Sequence, residues 1–200
     1  MAIKQFKKRG NFWFEKFVNI KDKNNVFFFE KKFNIKKAEK KINFNISKNQ
    51  NFIEYSELGL NYLRNISKLI KKNTGGILII DYGYNSKKMK DTLQAVSNHK
   101  IANILHNIGN IDITHNINFD LFKKFTQKFG DLANNLTTQK DFLLKMGIKD
   151  RAEIISKNAN FLKKADIFYR LKRLIDEKQM GTLFKVMLIK NKKNKFNLGF

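Results

Sequence analysis

The stretch Gly75-Gly76-Ile77-Leu78-Ile79-Ile80-Asp81-Tyr82-Gly83-Tyr84 constrains this chain more than any other. Two glycines open it, and four consecutive aliphatic residues follow. A run of that kind, without alternation, reads as a strand buried on both faces. Upstream, over 54–72, Tyr55, Leu58, Tyr62, Ile66 and Leu69 recur at three- and four-residue spacing, the signature of an amphipathic helix. A helix, a glycine turn and a doubly buried strand in that order point to an α/β fold. Asp81 stands at the carboxyl end of the strand, followed by Tyr82 and Gly83. Ligands of open α/β sheets bind in the crevice beyond such ends. A carboxylate there orients a substrate or accepts a proton. It can equally cap its own turn, and the spacing leaves both roles open.

The flanking sequence fills in the order of elements. Residues 3–7, 12–20 and 26–33 are short aromatic runs broken by Lys8-Arg9-Gly10 and by 21–25, so the N-terminal 50 residues read as β-rich. Residues 36–50 are rich in Lys and Asn and read as a loose loop or an edge strand. Residues 111–119 alternate and read as a strand, on which Asp112 and Thr114 share one face. That face lines a polar cleft or is simply solvated. From 120 to 178 the pattern is helical, with Asp120, Thr138, Asp150 and Asn158 as candidate N-caps and Gly147 as a stop. Residues 182–189 read as a final strand. No internal repeat is present.

At 200 residues the chain suits one domain spanning 1–200, with a β-rich segment at 1–50 and a helical insertion at 120–178. It contains no Cys, which excludes disulfides, thiolate nucleophiles and Cys-bound zinc. The apolar runs fall far short of the roughly 20 residues of a membrane helix. Residues 1–10 are charged and lack the apolar core of a secretory signal, so a cytoplasmic location is expected. The 41 Lys and Arg against 17 Asp and Glu give a formal charge of +24. Such a charge suits a polyanion partner. However, Lys (36), Asn (26), Ile (23) and Phe (20) together exceed half of the chain, while Arg is only 5 and Pro is absent. A+T-rich codons produce that profile whatever the function. Specific nucleic-acid readers use the bidentate fork of Arg, so nucleic acid is not the expected partner.

Classical chemical motifs are missing. His99, His106 and His115 are scattered, and no H-E-x-x-H pattern exists, so no metal site is expected. The ten glycines form neither G-x-G-x-x-G nor a Walker A loop. Phe27, Phe28, Phe29, Phe33 and Phe44 interleave with Lys31-Lys32, Lys36-Lys37 and Lys40-Lys41. Cations beside stacking aromatics can hold single strands, but a half-buried strand with Phe inside and Lys outside has the same pattern.

Taken in order, several segments resemble one family. Residues 75–84, then Asp91-Thr92-Leu93-Gln94-Ala95-Val96 and His99, resemble the second half of the MidA family of S-adenosylmethionine-dependent methyltransferases. Gly109 with Ile111-Asp112-Ile113-Thr114 and Phe119 resembles the family's PG-x-D-[LI]-T stretch. Thr138-Gln139, Phe142-Leu143, Gly147-Ile148 and Arg151-Ala152 resemble its TQ–FL–GI–RA helix, and 180–186, with Arg173-Leu174 before it, its terminal strand. Ile3-Lys4-Gln5-Phe6 resembles the segment just after its acidic NE–D-A-L-P motif. The series covers nearly the whole chain. It departs at Ile108, where Pro is usual, at His115-Asn116 in place of Ala-His, and at Asn118 in place of Asp. A one-residue shift of His115 on a strand would turn it to the other face.

The resemblance implies a partial Rossmann-like methyltransferase fold, the C-terminal half of its sheet. It implies S-adenosyl-L-methionine as cofactor and methylation of protein arginine, with a respiratory complex I subunit as candidate substrate. Asp81, Tyr82, Gly83, Asp112 and Thr114 then line the acceptor side, where a carboxylate orients the guanidinium fork. The family's E-x-G-x-G loop, which holds the cofactor, lies upstream of the NE motif and has no counterpart here. No cofactor-binding residue is therefore assigned, and a separate N-terminal half chain is an expected partner. The alternative is a non-catalytic basic interaction module, or an inactive remnant, that binds a partner chain or nucleic acid.

Overall fold

The computed structural model describes residues 2–22, 25–97, 100–106 and 109–200. The chain folds as an α/β protein in two compact units, one formed by 1–65 and 86–116, the other by 66–85 and 117–200.

The first unit is built on an antiparallel sheet, β3-β2-β1-β4, made of β1 (Lys4–Arg9), β2 (Phe12–Asp22), β3 (Asn25–Phe33) and β4 (Phe52–Tyr55). The turn between β1 and β2 needs a left-handed residue, and Gly10 supplies it at φ +56°. Phe6 is wholly buried against Phe33 and Tyr55, with ring centroids 5.2 and 6.2 Å away. The three aromatic runs thus form the expected strands. The stretch after them does not form the expected loop: α1 occupies Ile35–Ile42. Its buried residues, Ile35, Ala38, Glu39 and Ile42, fall at i, i+3, i+4 and i+7, one face of a helix hidden among lysines. Asn34 caps its start and left-handed Asn43 its end.

β4 occupies the start of the segment read as helix. The helix itself, α2 (Glu57–Asn73), begins where the Ser56 hydroxyl accepts from the Gly59 amide at 3.0 Å. A small sheet, β7-β6-β8, follows within 86–116, from β6 (Gln94–Ser97), β7 (Lys100–Ala102) and β8 (Asp112–Thr114). His99 and Ile108 lie outside the described residues.

The second unit holds β5 (Gly76–Tyr84), β9 (Ile117–Asn118), β10 (Leu132–Thr138) and β11 (Phe184–Asn191) in the order β10-β11-β5-β9. Here the expectation for β5 is corrected. The doubly buried strand is β11, whose Val186, Met187, Leu188 and Ile189 are all buried between antiparallel β10 and β5. Leu78 and Ile80 of β5 remain 44% and 48% exposed. Among the described residues, β5 pairs on its second side only through Gly83 and Tyr84, which meet Ile117 and Asn118 of parallel β9. The edge from Gly76 to Tyr82 stays open, and side chains beside an open edge keep their exposure.

The region 120–178 is not helical throughout, because β10 interrupts it. Its helices are α3 (Phe119–Gln127), α4 (Gln139–Lys145), α5 (Ile148–Ser156) and α6 (Phe161–Ile175). Thr138 caps α4 as expected, accepting from the Asp141 amide at 3.1 Å. The other caps are Asn118, Gly147 and Asn160 rather than Asp120, Asp150 and Asn158. Asn118 accepts from the amides of Asp120 and Leu121 at 3.0 and 3.4 Å. Asn and Asp rank together as caps, so the departure at Asn118 leaves the helix start intact. His115 sits between β8 and β9 in neither strand, so strand alternation does not govern the direction of its side chain.

Candidate functional site

The five sequence-derived candidates fall into two groups, one in each unit. Asp81, Tyr82 and Gly83 lie near the carboxyl end of β5, just before its last residue Tyr84, in the second. The Asp81 side chain is exposed and accepts from the Tyr82 amide at 2.8 Å, a local bond within the strand, since β5 continues to Tyr84 and no turn lies there to be capped. Its second oxygen has no hydrogen-bond partner among the described residues. Lys185 is its register partner on β11, and burial pulls the ammonium of that residue below the ordinary lysine value. Tyr82 packs its ring against Phe184 with centroids 4.0 Å apart. Gly83 is buried, and its amide donates to the Leu183 carbonyl at 3.3 Å. A Cβ there would lie 2.5 Å from both the Ile117 carbonyl oxygen and the Phe119 ring. Glycine is thus required for β9 to approach.

Asp112 and Thr114 lie on β8 in the first unit, opposite Val96 and Gln94 of β6. Asp112 is exposed and Thr114 half-buried.

The first unit also holds a polar network that spacing along the chain did not single out. Gln5 of β1 faces Glu54 of β4 in the ladder. Its side-chain Nε2 donates to Glu54 Oε2 and to Asp91 Oδ1, both at 2.7 Å. The Thr92 amide donates to Glu54 Oε2 at 3.2 Å, and the Thr92 hydroxyl donates to Glu54 Oε1. That hydroxyl accepts in turn from the Asn116 amide at 2.9 Å, two residues beyond Thr114. Gln50 fastens the incoming loop, donating to the Lys87 carbonyl at 2.7 Å and accepting from the Met89 amide at 2.9 Å. Gln5 and Glu54 are 4% and 5% exposed, whereas Asp91 is open to solvent. The arrangement is a buried carboxylate and a buried amide holding a surface carboxylate in one orientation. Gln5, Asp91 and Thr92 lay within the stretches that carry the family resemblance. Glu54 carried its own signal, an acid inside the apolar run Phe52-Ile53-Glu54-Tyr55.

Among the described residues no cluster of His, Cys, Asp and Glu is suited to a metal, and no helix is long and apolar enough to cross a membrane.

The fold is that of α/β methyltransferases. It aligns over 100% of this chain with the crystal structure of a COG1565 superfamily member from Burkholderia thailandensis bound to S-adenosyl-homocysteine, at a TM-score of 0.77 and 24% identity. A second structure from that organism gives a TM-score of 0.76. Residues 1–136 match the family of S-adenosyl-L-methionine-dependent methyltransferases, and the chain belongs to this family, the MidA type. Among curated relatives, the mitochondrial protein arginine methyltransferase NDUFAF7 of Danio rerio is 28% identical over 131 residues, which is 64% of this chain and 30% of that protein. The Homo sapiens counterpart is 27% identical over 124 residues, covering 61% of this chain and 27% of that one. This chain covers 53% of the Burkholderia chain bound to S-adenosyl-homocysteine, and its aligned part under a third of each of these two relatives.

Proposed function

We propose that this chain forms the acceptor side of a methyltransferase that transfers the methyl group of S-adenosyl-L-methionine to arginine in a protein. The family match over residues 1–136 carries the methyltransferase part. The relatives' designation as protein arginine methyltransferases supports arginine as acceptor. The open edge of β5 supports the finer reading of a partial Rossmann-like sheet, because an edge this apolar asks for a further strand.

Bound S-adenosyl-L-methionine supplies an electrophilic methyl group. This chain's residues do not fit its cradle: no E-x-G-x-G loop is present, and Gly83 is filled by Phe119. We assign that cradle to residues beyond this sequence, in the same or a second chain. The work left to this chain is to hold and orient the acceptor, where placement alone removes much of the barrier. Asp81, with Tyr82 and Gly83 behind it, is our candidate near the carboxyl end of β5. Asp112 and Thr114 are candidates on β8. We place the enzyme in the cytoplasm, with a respiratory complex I subunit as the first substrate to try.

The test is methylarginine formation, read by mass spectrometry with isotopically labelled S-adenosyl-L-methionine, on the chain alone and together with a complementary N-terminal half. Labelled methylarginine is expected only for the pair. Calorimetry should find that the chain alone does not bind S-adenosyl-homocysteine. Absence of methyl transfer from the pair, on any arginine substrate, would sink the proposal.

Asp81→Asn separates charge from structure. The Asn oxygen still accepts from the Tyr82 amide, so unfolding stability should stay within about 0.5 kcal/mol. The kcat/KM of the complete enzyme should fall about tenfold, the size of one lost charge-assisted contact. Unchanged turnover removes Asp81 from the site.

A further inference from the structure

In the Gln5, Glu54, Asp91 and Thr92 network, an amide nitrogen sits between two carboxylates. The two protons of Gln5 Nε2 go one to Glu54 and one to Asp91. Those acceptors fix which way the amide points. Turned over, its oxygen would face two anionic groups with no proton between them. Gln5 Oε1 is consequently left buried with no hydrogen-bond partner among the described residues. A buried amide oxygen without a donor is costly, by about 1–3 kcal/mol, and such an orphan calls for a reason, a functional role or a bound group among them.

Charge points the same way. Lys and Arg outnumber Asp and Glu by 41 to 17, yet neither Glu54 nor Asp91 forms an ion pair among the described residues. Glu54 is satisfied by Gln5 and Thr92. Asp91 is exposed and, among the described residues, anchored by one bond, which leaves its second oxygen without a partner. Among the described residues the unshared groups of this network are therefore acceptors, the second Asp91 oxygen and Gln5 Oε1. A divalent cation is a poor complement, since the Gln5 NH2 occupies the space between the carboxylates where the ion would sit. A guanidinium is a good one: it is planar, always charged and carries five N–H donors in a fork.

We propose that Asp91, held in place by Gln5 and Glu54 beside the buried, unpartnered Gln5 Oε1, is a carboxylate on which the guanidinium of an arginine substrate docks. This inference rests on the arginine reading above. Asp91 touches the substrate, while Gln5, Glu54 and Thr92 are positioning residues that act through it. No bond is made or broken at this contact; it selects and orients the acceptor.

The full chain, labelled with 15N, is titrated with a short peptide carrying one arginine, then with the same peptide carrying citrulline or lysine. Citrulline keeps the shape and removes the charge. The Gln5 side-chain amide resonances are expected to move with the arginine peptide and to stay still with citrulline. Asp91→Asn, a surface change that leaves the sheet intact, is expected to weaken arginine binding at least tenfold. Equal shifts with citrulline, equal binding of the lysine peptide, or undiminished binding by Asp91→Asn would each overturn the proposal. Methyl transfer by the paired halves is followed in parallel. Arginine binding without methyl transfer counts against the methyltransferase reading and leaves this site standing. Methyl transfer whose KM is untouched by Asp91→Asn does the reverse.

Discussion

Gly83→Ala should destabilise the second unit by about 3 kcal/mol and detach β9 from β5. The new methyl group would lie 2.5 Å from the Ile117 carbonyl oxygen and 2.5 Å from the Phe119 ring. Neither neighbour can yield cheaply. Ile117 is the residue that pairs with Gly83 in the β5–β9 ladder, and Phe119 is wholly buried as the first residue of α3. Relief requires shifting the backbone that also carries the Asn118 cap. For a unit of roughly 100 residues, a loss of this size lowers the melting temperature by about 10 °C or more. Gly75→Ala, eight residues earlier, is the control. Nothing lies within 4 Å of a Cβ there and its φ is not positive, so its effect should stay within about 0.5 kcal/mol. Thermal unfolding of the two variants, with hydrogen exchange across 83–84 and 117–118, checks both. Equal melting temperatures would mean that β9 moves freely and that the glycine has no packing reason.

Gly83 also shows what kind of information the sequence carries. The resemblance marked it as part of a site, and local geometry gives it a packing role that holds whatever the chemistry. Strands β1 to β3 and helix α2 were legible because aromatic runs and three-four spacing are local signals. Strand β10 was not. Its sequence, Leu-Ala-Asn-Asn-Leu-Thr-Thr, has weak strand preference, and only pairing with the doubly buried β11 makes it extended. The burial of β5 was overread for the complementary reason. A run such as Ile77 to Ile80 states what neighbours it wants, whereas exposure depends on which neighbours pair with it.

The polar network was hidden by distance along the chain. Gln5 meets Glu54 across 49 residues and Asp91 across 86. No motif scan links residues so far apart. Only the register of β1 on β4 and the seating of the loop at 87–92 by Gln50 bring them together. Acids that face cations are common in a chain of this charge. Glu54 is served instead by an amide, a hydroxyl and a backbone N–H, with no cation among the described residues.

Glu39→Ala should cost the first unit about 3 kcal/mol at neutral pH. Glu39 lies on the buried face of α1, and one of its oxygens, Oε1, accepts from the Ile46 amide at 3.1 Å, the Ser47 amide at 2.9 Å and the Ser47 hydroxyl at 2.7 Å. Oε2 takes the Lys36 ammonium at 2.8 Å. This one carboxylate closes the turn between α1 and β4, and its removal strands two backbone donors, one of them buried. Burial alone pushes the Glu39 carboxyl up, but the bonds from Lys36 and Ser47 outweigh it and hold the group below the ordinary value of 4.5. The sign follows: the folded state binds the proton less readily than the unfolded chain does. The stabilisation is therefore complete above 4.5 and is lost as pH falls through the lower folded value. Glu39→Gln keeps an acceptor for the amides and removes the charge, so it should cost less, about 1 kcal/mol at pH 7. Urea unfolding at pH 7 and at pH 3 gives the decisive comparison. The gap between the parent and Glu39→Gln should narrow in acid, and a gap that stays constant would show that the charge of Glu39 does not stabilise the fold.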